Sequence, residues 1–142
     1  MFLKVAPDLR PIAVEEIARE AIASGLDALI VGNTTLSRPA SLLSPHAVES
    51  GGLSGAPLMD LSTRMLRSFR EASQGRIALI GAGGIASGAD AYAKIRAGAS
   101  AVQLYTALIY HGPGLVMRVR RDLSRRLRAD GFTTIGEATG AA

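Results

Sequence analysis

The sequence contains no cysteine and few aromatic residues, which make up 4% of its 142 residues. Without cysteine, disulfide frameworks and thiolate metal sites are excluded, and a cytoplasmic location is favoured. No apolar run approaches the roughly 18 residues of a membrane span. The opening stretch MFLKVAPDL has too short an apolar run for a signal peptide and predicts a strand that begins almost at once. We therefore expect the chain to be cut from a longer protein.

The sequence also offers little for binding metals or nucleic acids. His46 and His111 lack the spacing of metal ligands, so both are predicted to be surface residues and no metal is expected. Much of the basic excess behind the net charge of +4 lies in RVRRDLSRRLR (118–128). These arginines lie mainly opposite a leucine and valine stripe, and no interleaved aromatic residues are available for base stacking. A solvated outer face is therefore favoured over binding of nucleic acid or anionic lipid.

Strand and helix patterns alternate along the whole chain, which we predict to be a single domain over residues 1–142. The apolar content of 48% and the charged content of 20% are ordinary for a globular α/β protein. Near-continuous apolar strands are typical of parallel sheets buried on both faces. Four successive βα units predict either a small open sheet or half of an eight-stranded barrel.

The predicted elements have the following limits. Strands are expected at 2–6, 26–32, 76–81 and 100–106. Helices are expected at 11–24, 61–72 and 87–97 and within GPGLVMRVRRDLSRRLRADG (112–131). Asp60 or Ser62 is the predicted cap of the second helix and Ser87 that of the third. The last helix is predicted to bury one apolar stripe, which consists of Leu115, Val116, Val119, Leu123 and Leu127.

The most specific local pattern is the glycine turn IGAGGIASG (80–88), which places three glycines within four positions after the third strand. Gly81, Gly83 and Ala86 match a dinucleotide fingerprint, but the next strand ends without the carboxylate that a nicotinamide-binding Rossmann fold requires. A barrel fits better, because barrels commonly bind phosphate with the loops after two neighbouring strands. Gly83 and Gly84 would offer backbone N–H groups, and Tyr105 with Thr106 would close on the anion. The alternative is a tight turn that needs glycine only for positive φ.

Other polar residues stand at the predicted strand ends. Lys4 lies within an apolar strand, so it either meets an anion or cofactor inside a barrel or reaches solvent from an edge strand. Asn33 and Thr34 follow the second strand, where they would either recognise an amide or carboxylate group or form a turn. The segment GGLSG (51–55) would be a lid or cofactor wall, or else a flexible connector.

Taken together, LKVAPDL, LIVGNTTLSRPA, GGLSGAPL, IGAGGIASGADA and KIRAGASAVQLYTALIYHGPGLV resemble the carboxyl-terminal half of the quinone-dependent (class 2) dihydroorotate dehydrogenases. The resemblance runs almost from end to end, in order and with suitable spacing. It implies a (β/α)8 barrel of the TIM-barrel type, of which this chain supplies about the second half. It also implies a flavoprotein oxidoreductase of pyrimidine biosynthesis that uses FMN to oxidise dihydroorotate to orotate and passes the electrons to a quinone.

The resemblance assigns a role to each candidate residue. Lys4 would contact the flavin ring, and Asn33 with Thr34 would hold orotate. The remaining flavin contacts would be Gly32, Gly55, Gly83, Gly84, Tyr105 and Thr106, the last four at the phosphate. The family usually has threonine or serine where this chain has Gly32, so a flavin contact is lost and weaker flavin binding is expected.

The catalytic serine base, the quinone site and the membrane-associating helices of the family belong to the preceding half, so no catalytic residue is assigned in this chain. The complete enzyme is expected to be peripheral on the inner membrane. We expect this half alone to be inactive and two copies to close into a homodimeric barrel, because open strand edges expose unpaired backbone groups. The alternatives are a noncatalytic half barrel that binds FMN or phosphate and a Rossmann-type nicotinamide protein.

Overall fold

The computed structural model describes residues 1–141 as one parallel sheet with helices packed on it. The strands are β1 Phe2–Val5, β2 Ala28–Val31, β3 Ala78–Ala82 and β4 Ala101–Gln103. The helices are α1 Pro11–Ala23, α2 Met59–Ser73, α3 Gly88–Arg96, α4 Thr106–His111, α5 Gly114–Ala129 and α6 Ile135–Ala138. The predicted alternation of strands and helices is therefore confirmed.

The sheet is 4-stranded, with the order β1-β2-β3-β4 and parallel pairing throughout. Each strand lies beside the strand that precedes it in sequence, as in a barrel wall. A Rossmann sheet reverses its strand order at a switch point, where the dinucleotide binds. The sequential order contains no such reversal, so the Rossmann alternative loses its topological basis.

The core lies between the sheet and its helices. Leu29, Val31 and Leu79 are buried against helical residues such as Leu66 and Phe69. The other face of the sheet is less covered, because Ile30 and Ile80 are half-buried and Phe2 and Lys4 are exposed. The expectation that the strands are buried on both faces is therefore wrong for this chain. The helices of residues 1–141 cover one face, and nothing in that part of the chain covers the other.

Helix α5 buries Leu115, Val119, Leu123 and Leu127 and turns its arginines outward, as predicted. Val116, which was predicted on the same stripe, is 48% exposed. The reason is geometric: a residue next to Leu115 lies about 100° around the helix from it, on the flank of the stripe.

The start of one helix and the end of one strand differ from prediction. Helix α2 begins at Met59, directly after a 3₁₀ turn at Ala56–Leu58, so neither Asp60 nor Ser62 is its cap. The predicted fourth strand ends early at Gln103, because Thr106 already begins helix α4. The Ser87 cap of α3 is confirmed, since the Asp90 N–H donates to Ser87 Oγ at 3.1 Å.

Within residues 1–141, no helix is both long and apolar enough to span a membrane.

Candidate functional site

A half-open cleft of about 300 Å³ lies at the carboxyl ends of the strands. Parallel strands bring their carboxyl ends to the same edge of a sheet, which is where α/β proteins bind ligands. Every residue predicted to bind cofactor or substrate lines this cleft: Lys4, Gly32, Asn33, Thr34, Gly55, Gly83, Gly84, Tyr105 and Thr106. Their proximity is thus a property of the fold, whereas their individual binding roles stay predictions.

Lys4 reaches across the uncovered face of the sheet. Its Nζ donates to Gln103 Oε1 at 3.3 Å, so side chains from the edge strands β1 and β4 meet in front of β2 and β3. Lys4 is exposed, and its only hydrogen-bond partner among residues 1–141 is this neutral amide. Its positive charge therefore remains available to an anionic or electron-rich ligand in the cleft.

The glycine turn after β3 is shaped by the start of helix α2. Gly83 and Gly84 have φ values of 92° and 81°, a region that favours glycine. A Cβ atom on Gly84 would lie 2.5 Å from the backbone N and Cα of Met59, so no larger residue fits there. Within residues 1–141, the Gly84 N–H has no acceptor in the chain. The turn therefore presents a free donor to the cleft, as an anion site requires.

The end of β4 closes the opposite wall of the cleft. Thr106 Oγ1 donates to Ser54 Oγ at 3.2 Å, and a Cβ atom on Gly55 would lie 3.3 Å from Thr106 Cγ2. Ser54 and Gly55, the last two residues of the GGLSG segment, therefore line the cleft, and their role as a lid or cofactor wall stays a prediction. Tyr105 stands beside this segment and is 78% exposed.

Asn33 and Thr34 lie at the carboxyl end of β2. The Thr34 N–H donates to Asn33 Oδ1 at 3.0 Å, so the Asn33 carbonyl oxygen serves the local turn while its NH₂ group stays available. The neighbouring Thr35 has a structural role, because it is buried and donates to Asp8 Oδ1 at 2.6 Å. The turn interpretation is thus confirmed for the Asn33 carbonyl oxygen, and recognition of a ligand by Asn33 and Thr34 stays a prediction.

Gly32 has a backbone conformation that disfavours any residue with a side chain. Its φ is 124°, and a Cβ atom would lie 2.3 Å from the Ala82 carbonyl oxygen. Glycine at this position therefore allows β2 and β3 to approach each other closely as they enter the cleft. The local backbone is one that only glycine adopts without strain, and weaker flavin binding through Gly32 stays a prediction.

Several residues at or near the site were not predicted. Gln103, Tyr110 and His111 line the cleft, and His111 is also exposed, as expected of a surface residue. Gln103 could have been found, since it is the one polar residue between the apolar positions of its strand. Lys94 of α3 is fully buried below the glycine turn, where burial lowers the pKa of its ammonium to about 8 against the opposing effect of Asp90 and Asp60.

Comparisons with known proteins agree with this geometry. The sequence model of a family described as dihydroorotate dehydrogenase matches residues 1–127. Proteins named dihydroorotate dehydrogenase (quinone) from Azorhizobium caulinodans and Xanthobacter autotrophicus are 58% and 57% identical to 99% of this chain. The crystal structure of Eimeria tenella DHODH in complex with ferulenol superposes with a TM-score of 0.94 and 46% identity over 98% of this chain. The chain spans 40% and 39% of the lengths of the two bacterial relatives and 37% of the Eimeria chain.

Proposed function

Because the chain belongs to the dihydroorotate dehydrogenase family, we propose that it is the FMN-binding part of an enzyme that oxidises dihydroorotate to orotate with a quinone as electron acceptor. Its fold is the corresponding α/β portion of a (β/α)8 barrel, with four parallel strands. The observation that carries the proposal is that the glycine turn and the Tyr105–Thr106 segment face one cleft, with Lys4 on its other side.

The residues of the cleft fit FMN by their chemistry. Among residues 1–141 the Gly84 N–H has no acceptor in the chain, so it can donate to a phosphate in the cleft. Packing against Met59 requires glycine at this position. Thr106 adds a hydroxyl group, and Lys4 adds a positive charge to the same cleft. When bound, FMN would supply the electron-accepting chemistry that no side chain of this chain offers.

The chain's own residues would bind and orient. Asn33 and Thr34 line the cleft just after the carboxyl end of β2. The Asn33 NH₂ group and the Thr34 hydroxyl can bind the polar ring of dihydroorotate or orotate there. The Lys4 ammonium, held by Gln103, would stabilise negative charge that develops nearby during the reaction. The other residues that line the cleft would form a wall that positions the reactants and limits the access of water.

The proton-accepting group, the quinone site and the membrane-associating segment are assigned to the part of the relatives that this chain does not cover. That part would also pair with the free edges of β1 and β4. It would cover Phe2 and Leu3 of β1, which are 58% and 41% exposed. In its absence, two copies of the chain would close on each other. The complete enzyme would be cytoplasmic and peripheral on the inner membrane.

Complementation tests this function. The chain would be coexpressed with the amino-terminal part of the Azorhizobium relative that it does not match, and the purified product assayed for dihydroorotate-dependent quinone reduction. We expect activity from the pair and none from either part alone. Activity of this chain alone with added FMN would contradict the proposal.

A noncatalytic half barrel that binds FMN is the second candidate, because the glycine turn and the Tyr105–Thr106 segment line one cleft in this chain. The same experiment separates the two functions. The noncatalytic protein would bind FMN and stay inactive in the coexpressed pair.

A further inference from the structure

Lys94 is a buried cation without an ionic partner. It lies on α3 with no exposed surface, and among residues 1–141 no ion pair includes it. Its Nζ donates to Ser62 Oγ at 2.5 Å and approaches the Met59 carbonyl oxygen at 3.4 Å. Burying an ammonium among neutral partners costs free energy, so a lysine at this position indicates a function for its charge.

Ser62 connects this charge to the glycine turn. Its Oγ accepts from Lys94 and lies 3.0 Å from the Gly83 carbonyl oxygen and 2.7 Å from that of Leu58. In a trans peptide, the C=O of Gly83 and the N–H of Gly84 point in opposite directions. The Gly83 carbonyl oxygen shares the single Ser62 proton with the nearer Leu58 carbonyl oxygen. Because the Gly83 carbonyl faces Ser62, the Gly84 N–H points the opposite way, toward the cleft that both glycines line.

We propose that Lys94, acting through Ser62, is a positioning residue for the phosphate of the bound mononucleotide. It fixes the Gly83–Gly84 peptide with its N–H toward the anion and places a positive charge behind the turn. This inference rests on the proposed function, since it assumes that the turn binds a phosphate.

The charges around Lys94 keep it protonated at neutral pH. Asp90 on its own helix and Asp60 on α2 favour the ammonium, whereas Arg67 on α2 and burial oppose it, and the net effect is a pKa of about 8. The neighbour on β3 is Gly81, which carries no charge. A dianionic phosphate in the cleft favours the charged form further, so binding of the phosphate and protonation of Lys94 are linked.

The test compares FMN with riboflavin, which lacks the phosphate, by quenching of flavin fluorescence on the 142-residue chain. Wild type should prefer FMN. Ser62→Ala and Lys94→Met should lose about tenfold or more of that preference, because the Gly84 N–H would no longer be positioned to bond the charged phosphate. The affinity for riboflavin should stay nearly unchanged. Ser68→Ala is the matched control, because Ser68 is exposed on the same helix and, among residues 1–141, its hydroxyl bonds only to the Arg64 carbonyl of that helix.

The pH dependence gives a readout that a purely structural role would not move. The preference of wild type for FMN should fall as the pH rises above about 8, and the preference of Lys94→Met should be flat over that range. If Lys94→Met does not fold, Ser62→Ala and the wild-type pH profile decide. Variants that keep the full preference, or a flat wild-type profile, would overturn the role of Lys94. A wild type without any preference for FMN would instead overturn the proposed function.

Discussion

Replacing Lys94 by methionine should stabilise the fold while weakening the site. Burial lowers the pKa of Lys94 from its ordinary 10.5 to about 8. Each unit of pKa difference corresponds to about 1.36 kcal/mol, so holding the ammonium in place costs the folded state about 3 kcal/mol. Methionine fills nearly the same volume without a charge, and the Ser62 hydroxyl keeps the Leu58 and Gly83 carbonyl oxygens as acceptors. At pH 7 the free energy of unfolding should therefore rise by as much as about 3 kcal/mol.

The sign of the pH dependence follows from the same pKa. Below pH 8 the ammonium is protonated in both the folded and unfolded chains, so the cost of burial is present in full. Between pH 8 and 10.5 the unfolded chain binds more protons than the folded one, and wild-type stability gains about 3 kcal/mol from this group as the pH rises. Lys94→Met lacks this gain.

Urea denaturation followed by circular dichroism at pH 7, 8, 9 and 10 measures the difference. Other groups titrate in both proteins, so subtracting one curve from the other isolates Lys94. The two stabilities should converge as the pH rises. Parallel curves, or a methionine variant that is strongly less stable at pH 7, would refute the reasoning.

Three further predictions concern the backbone, the long loop and the open edges. Gly32→Thr should destabilise the chain by about 2 kcal/mol or more in thermal unfolding, because the new Cβ would meet the Ala82 carbonyl. Gly136→Ala should have a small effect, because among residues 1–141 its Cβ would meet no atom nearer than 3.8 Å outside its own helix backbone and chain neighbours. Equal effects of the two substitutions would contradict this reasoning. The Arg38 guanidinium donates to the carbonyls of Ala47, Glu49 and Gly51. Arg38→Ala should therefore speed amide hydrogen exchange in residues 35–51 but not in the sheet. Unchanged exchange would show that other contacts order this loop. The isolated chain should be a dimer by light scattering, since β1 and β4 are open edges, and a monomer would count against closure by a second copy.

The cleft was predictable from sequence because its parts follow from one rule. Lys4, Asn33, Gly84 and Thr106 lie within or just after parallel strands, and the carboxyl ends of such strands share one edge. Local patterns likewise predicted the Ser87 cap, which depends on residues three positions apart.

What the sequence did not predict depends on contacts between distant segments. Lys94 sits among polar and apolar residues in a helix, and only the packing of α2 against α3 makes it buried. The start of α2 at Met59 reflects the preceding 3₁₀ turn. Helix α4 spans only 6 residues, too few for a helical period to be distinguished from the end of a strand.

The most direct test of the central claim is a nitrogen-15 NMR titration of the chain labelled at glycine. The claim is that the turn at Gly83 and Gly84 binds the phosphate of a mononucleotide at the carboxyl edge of the sheet. FMN should shift the amide resonances of these two glycines, and riboflavin should leave them nearly in place. Equal shifts with both flavins, or shifts confined to glycines outside the cleft such as Gly131, would contradict the claim.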